Sequence, residues 1–133
     1  MIIVVRGIPA PQGSKRHVGG GRMIESSRAV GPWREAVRAE TQRVMTITGQ
    51  RVMDGPVRIT IHFYLPRPKT APKAVTWPAK RPDLDKLCRS VLDGLTAGGA
   101  WEDDAQVVVL RAWKSFATAG TPPRCHIELK EEL

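Results

Sequence analysis

Asp83 and Asp85 stand two residues apart, flanking Leu84, and a second acidic group, Glu102-Asp103-Asp104, follows further along the chain. Carboxylates brought together repel, and some would take up a proton unless a cation neutralised them. Hard oxygen ligands suit Mg²⁺ or Mn²⁺, which keep several waters and also bind phosphate oxygens. Such a metal polarises a phosphodiester and lowers the pKa of an attacking water. Convergence depends on local structure. Inside a helix, side chains two positions apart point about 200° from each other and could not share a ligand. Pro82, however, biases Arg81 toward an extended conformation and marks an element boundary. Asp83 would then lie outside the helix and Asp85 in its first turn, where both can turn toward one point. In an extended segment Glu102 and Asp104 face one way and Asp103 the other. The spacing leaves open which of them supplies a third carboxylate.

A structural reading competes with this one. Asp83 suits an N-cap, Asp85 favours the positive end of a helix dipole, and acids before a strand are commonly solvated. Asp85, Arg89 and Asp93 are spaced i, i+4, i+8. They form either a ladder of weak ion pairs, worth a few tenths of a kcal/mol each, or a place for Arg89 to bind a scissile phosphate.

Charge is distributed unevenly. Residues 1–80 hold 14 Lys/Arg and 4 Asp/Glu, whereas residues 81–133 hold 7 Lys/Arg and 9 Asp/Glu. The basic half suggests a polyanionic partner, and the compact acidic cluster a place for cations. The alternative is a soluble basic protein with one acidic helix end. No apolar run approaches the ~18 residues needed to span a membrane. Ile2-Ile3-Val4-Val5 is cut short by Arg6, too soon for the core of a signal peptide. Two cysteines are too few for a disulfide framework, so a reduced, cytosolic setting is expected.

The elements that must position the acids are legible in outline. Met1–Gly7 reads as a strand stopped by Gly7 and Pro9, and residues 8–27 as a Gly-rich basic loop containing Lys15 and Arg16. Pro32 suits the first turn of a helix running to about Thr48, with Trp33, Val37, Val44 and Ile47 as its apolar stripe and Arg34, Arg38 and Arg43 solvated. Asp54-Gly55 marks a turn. Val57, Ile59, Ile61, Phe63 and Leu65 then alternate with polar residues, the period of a strand with one buried face. Residues 66–82 carry five prolines and five Lys/Arg, so they form a loop. Leu84, Leu87, Cys88, Val91, Leu92 and Leu95 have helical spacing, and Gly98-Gly99 ends that helix. Val107-Val108-Val109-Leu110 is apolar on both faces and predicts a central strand. A short strand near 125–129 closes the chain. The expected fold is α+β: one domain spanning residues 1–133, a mixed sheet of about four strands with two main helices packed against it.

Three stretches carry a resemblance. Arg81-Pro82-Asp83-Leu84-Asp85-Lys86-Leu87, Leu92-Asp93-Gly94-Leu95-Thr96 and Trp101-Glu102-Asp103-Asp104-Ala105-Gln106-Val107 together resemble the RusA-type Holliday junction resolvases. These are small endodeoxyribonucleases commonly carried by phages and prophages. The resemblance covers residues 81–107 and joins D-x-D, an amphipathic helix, D-G-L where the family usually has D-A-L, and D-D-x-Q-V. It implies a homodimer in the bacterial cytoplasm that cuts four-way DNA junctions by paired symmetric nicks, in recombination and repair, with a Mg²⁺-dependent site. Carried over by position, the metal-binding aspartates are Asp83, Asp85 and Asp104, with Asp103 a supporting acid. Arg89 stands where the family usually has lysine. It keeps the charge and the phosphate contact, but its guanidinium is a fork, not a point charge, and gives up no proton. Lys86 replaces a common asparagine. Lys15, Arg16, Arg81 and Lys86 are the residues expected to contact DNA.

The remaining features add little. Pro82-Asp83 with Glu128-Leu129-Lys130 spells the signature of another nuclease class, but a helix follows the Asp where that class has a strand. His17, His62 and His126 lack zinc-ligand spacing. Trp101 either stacks on an unpaired base or, more simply, packs beneath the site. Two other functions stay open at this level: a non-catalytic basic DNA-binding protein, and a nuclease of the same chemistry acting on flaps or forks.

Overall fold

The computed structural model describes residues 1–13, 15–18, 22–25 and 28–132, the two short runs 15–18 and 22–25 by backbone alone. Six strands and two helices follow in the order β1 (Ile2–Arg6), β2 (Lys15–Val18), β3 (Arg22–Glu25), α1 (Val30–Thr48), β4 (Val57–Leu65), α2 (Leu84–Ala97), β5 (Val107–Phe116) and β6 (Arg124–Glu131). Four strands make a mixed sheet in the order β1-β6-β4-β5, and β2 and β3 pair as a separate hairpin. The expected α+β architecture is therefore present. β4 and β5 run parallel, from Val57 opposite Val107 to Leu65 opposite Phe116. Parallel neighbours need a crossover, and α2 supplies it.

The alternation in β4 works as its period dictates. Val57, Ile59, Ile61, Phe63 and Leu65 are all buried, together with Ile3 and Val5 of β1 and Cys125, Ile127 and Leu129 of β6. Trp33, Val37 and Val44 of α1 and Leu87, Val91 and Leu95 of α2 complete the same core. The two helices meet at small residues: a Cβ added at Gly94 would lie 2.7 Å from the Val37 Cβ, and one at Gly98 would lie 2.7 Å from the Thr41 Cβ. Spaced i, i+4, these glycines lie on one face of α2 and let α1 cross it closely.

Four expectations are corrected. Val107–Phe116 is not central but an edge strand, with Val108 60% and Leu110 46% exposed. The centre is taken by the last strand, β6, which pairs with both β1 and β4. Residues 8–27 are not loop throughout, because β2 and β3 pair from Lys15 opposite Glu25 to Val18 opposite Arg22. The Gly19-Gly20-Gly21 stretch lies outside the described residues. In α1 the buried stripe is Val30, Trp33, Val37, Thr41 and Val44. Ile47, in the last turn, is 67% exposed. Finally, Arg34 is not simply solvated: it donates to Gln12 Oε1 at 3.0 Å and turns toward α2. Arg38 and Arg43 do stay on the outer side of α1, paired with Glu35 and Glu40.

Candidate active site

Pro82 lacks the N–H that a continuing helix needs, so α2 begins just after it. Asp83 occupies the N-cap position with extended backbone (φ −69°, ψ 135°), and its carbonyl accepts from the Leu87 N–H at 3.0 Å. Its side chain makes no capping hydrogen bond. The carboxylate most easily explained as a cap is not used as one. Lys86 Nζ stands 3.8 Å from Asp83 Oδ2. Asp85 lies in the first turn of α2, exposed, with exposed Arg89 one turn beyond it. A further turn brings Asp93, whose Oδ2 is 3.8 Å from Arg34 Nη1 of α1.

The second acidic group is built on a single 3₁₀ turn, Asp104–Gln106, just before β5. Asp103 Oδ1 accepts from the Ala105 N–H at 2.8 Å. Gln106 Oε1 accepts from the backbone N–H groups of Glu102 and Asp103 at 3.1 and 3.2 Å. The Gln106 amide nitrogen donates to the carbonyls of Met53 and Gly55 at 2.9 and 3.1 Å. This reciprocal pair is a capping box, and it accounts for the D-D-x-Q pattern: the first Asp caps, and the Gln ties the turn to the loop before β4. Asp104 is left exposed. Its carboxyl is held above the usual carboxylate value by partial burial, by the neighbouring charges of Asp103 and Asp93 and by a side-chain hydrogen bond with Asp103, while Arg89 pulls it down. Asp104 therefore lies in the field of the polar face of α2.

The structure thus groups Asp85, Arg89 and Asp93 on one helix, with Asp83 at its start and Asp104 beside it. Of the acids that spacing left open, Asp103 is engaged as a cap and Asp104 is not. Among the described residues, no three His, Cys, Asp or Glu side chains gather into a group that would hold a metal ion by themselves. Mg²⁺ makes no such demand, since one or two carboxylates, waters and substrate phosphates commonly complete its shell. Exposed carboxylate oxygens, with no sulfur or imidazole among them, fit a hard cation of that kind.

Two positive groups stand at the start of α2. Arg81 is exposed at the end of the Pro-rich loop, and Lys86 is half-buried in the first turn of α2. Lys15 and Arg16 lie on β2, where the backbone alone is described. The arm leading to them is strapped to α2. Gln12 N–H donates to the Lys86 carbonyl at 2.9 Å, and the buried Ser90 hydroxyl lies 2.7 Å from the Ala10 carbonyl oxygen.

Sequence reasoning missed Lys114. Its ammonium donates to the carbonyls of Lys80 and Pro82, both at 2.7 Å, and so holds the segment that delivers Asp83. A lysine opposite buried Phe63, between Ala112 and Phe116, was the available signal. Trp101 packs beneath the site: it is 2% exposed, and its Nε1 donates to Thr96 Oγ1 at 2.7 Å. Both cysteines are buried and free. Burial, with Asp85 nearby, pushes the Cys88 thiol up to about 11, and burial raises Cys125 as well. Neither is a thiolate near neutral pH.

No helix among the described residues is long and apolar enough to cross a membrane. The family model for endodeoxyribonuclease RusA matches residues 6–130. Proteins named crossover junction endodeoxyribonuclease RusA, from Escherichia coli and from Shigella sonnei, are each 38% identical to this chain over 65 residues, 49% of this chain and 45% of the relative. The chain thus spans about half the length of the curated relatives it matches. The family match runs from Arg6 to Lys130, through both helices, β4, β5 and all but the last residue of β6, and it includes Asp83, Asp85, Asp93, Asp103 and Asp104; the chain belongs to the RusA endodeoxyribonuclease family.

Proposed function

We propose that this protein is a Mg²⁺-dependent endodeoxyribonuclease, with Mn²⁺ as an alternative metal, that resolves four-way DNA junctions by paired symmetric nicks. The observation that carries the reading is the division of labour among the acids. Asp103 caps its turn, while the carboxylate of Asp83, at an N-cap position, makes no capping hydrogen bond, and Asp104 lies within electrostatic reach of Arg89 and Asp93 on α2. Family membership and the names of the relatives support the same reaction class.

Asp83, Asp85 and Asp104 are the residues that would hold the metal, which when bound supplies charge to polarise a phosphodiester and to acidify a water. Arg89, on the same helix, offers a forked set of donors to the phosphate oxygens and offsets the growing negative charge there. A guanidinium in this place binds and orients and transfers no proton. Arg81 and Lys86 flank the start of α2, and with Lys15 and Arg16 they are assigned to the DNA backbone. We assign the active form to a homodimer in the bacterial cytoplasm, because two nicks at symmetric positions need two sites.

The test is cleavage of an end-labelled four-way junction in Mg²⁺, beside matched duplex and flap substrates, with Asp85→Asn as control. Paired nicks on the junction alone, lost in the variant while binding persists, are expected. Cleavage retained by Asp85→Asn overturns the site. Salt-sensitive binding with no cleavage in either metal returns the acids to structural roles, and cleavage confined to flaps or forks reassigns the substrate. Sedimentation showing only monomer with DNA bound contradicts the dimer.

A further inference from the structure

The loop from Pro66 to Pro82 contains five Lys/Arg, five prolines and no Asp or Glu. It lies over a cavity of about 480 Å³ lined by Leu65 and Phe116 from the ends of β4 and β5, by Ile8, and by Val75 and Trp77 of the loop itself. Trp77 is 60% exposed at this cavity. Lys80, Arg81 and Pro82 also line it, and Pro82 directly precedes Asp83.

The loop is braced in place. Prolines fix φ and restrict the unfolded chain, so ordering costs less. Arg67 donates to the Pro72 carbonyl at 2.7 Å and lies 4.8 Å from the centre of the Phe116 ring. At the other end, Lys114 holds the carbonyls of Lys80 and Pro82. Trp77 is thus presented by a supported segment, with cations on both sides of it and the acidic site next in the chain.

Resting on the function proposed above, we infer that Trp77 and this cavity receive one unstacked nucleobase of the DNA strand bound at Asp83 and Asp85. An aromatic face set among cations is the combination that binds a base through its π-face and its strand through phosphates. Drawing a base out costs least where pairing and stacking are already interrupted, and a protein that opens the branch point interrupts both for the bases flanking it. A second copy of the chain is the poorer occupant, because it would bring the same uniformly positive loop against this one. Trp101, the other tryptophan near the acids, is buried and cannot serve.

The experiment uses the full chain carrying Asp85→Asn, which keeps the junction intact, and four-way junctions with 2-aminopurine at each position flanking the branch point. Binding should change the fluorescence at one position. Trp77→Ala should abolish that change and weaken junction binding by about tenfold, the scale of one lost stacking ring. Duplex binding should hold, and Trp77→Phe should restore most of the signal. No fluorescence change at any position overturns the inference without any variant. So does a Trp77→Ala protein that binds the junction and alters the probe like its parent, although junction cleavage by the wild type would leave the nuclease reading intact. A Trp77→Ala protein that turns from dimer to monomer without DNA gives the cavity to a second copy and also overturns the inference. Failure of the wild type to cut or prefer junctions removes the parent reading itself.

Discussion

Gly94 of α2 and Val37 of α1 approach so closely that a methyl group at residue 94 would stand 2.7 Å from the Val37 Cβ and 3.2 Å from the Arg34 carbonyl oxygen. The first atom belongs to a β-branched side chain on a buried helix face and the second to backbone, so neither can easily give way. Alanine at this position would gain about 1 kcal/mol of helix propensity, against an overpacking cost of about 1–3 kcal/mol. Gly94→Ala is therefore expected to lower stability by about 1 kcal/mol, read as a fall in the urea midpoint with an unchanged slope. An equal or higher midpoint would show that α1 can shift away. The glycine in the D-G-L stretch follows from this crossing of α1 and α2.

The two adjacent acids before β5 should fail in different ways. Asp103→Ala removes the side chain that caps the 3₁₀ turn and should cost about 1 kcal/mol of stability. Asp104→Asn leaves the cap in place. It should leave the melting temperature near that of the wild type and abolish junction cleavage. Melting curves beside single-turnover cleavage separate the two; cleavage lost in Asp103→Ala at unchanged stability, with stability lost in Asp104→Asn at unchanged cleavage, would reverse the assignments.

Lys114 links β5 to the segment that ends at Asp83. Lys114→Met keeps the apolar stem but removes both donors from the Lys80 and Pro82 carbonyls. Hydrogen bonds from a charged donor contribute about 1.5–3 kcal/mol, so the loop should open more often. Limited proteolysis within residues 66–82 should accelerate, and cleavage should slow by more than junction binding weakens. Unchanged proteolysis would mean that the prolines hold the loop unaided.

His62 lies on the sheet face opposite the buried side chains of β4, stacked on Tyr64 with ring centres 3.9 Å apart and 2.8 Å from Ser115 Oγ. Burial lowers its pKa below the usual 6.5, and the positive charges of Arg124 and His126 lower it further. The unfolded chain then takes up the proton first. The His62 contribution is flat above the unfolded pKa. Stability falls as pH drops through about 6.5 and levels off below the folded value. His62→Gln should lose less stability than the wild type between pH 7.5 and pH 5, measured by urea midpoints. Parallel losses in both proteins would exclude His62 as the source.

Local pattern determined a good part of this protein. The alternation of Val57 to Leu65 and the helical spacing from Leu84 to Leu95 each specify an element, because burying one face depends only on neighbours along the chain. Pro82 likewise marks where α2 must start, and so separates Asp83 from Asp85 in conformation. Strand order was beyond that reach. Val107-Val108-Val109-Leu110 has the composition of a central strand, yet it forms an edge because Ile127 of β6 pairs with Ile3 on one side and Ile61 on the other. The hairpin of β2 and β3 was hidden for a similar reason, since its order comes from backbone pairing without apolar alternation in Lys15-Arg16-His17-Val18. The roles of Asp103 and Asp104 depended on whether Gln106 could reach back to cap the turn and across to Met53 and Gly55. Burial of Trp101 and exposure of Trp77 depended in turn on which surfaces the packed sheet and helices left over. These are contacts between residues distant in the chain, and only the tertiary structure decides them.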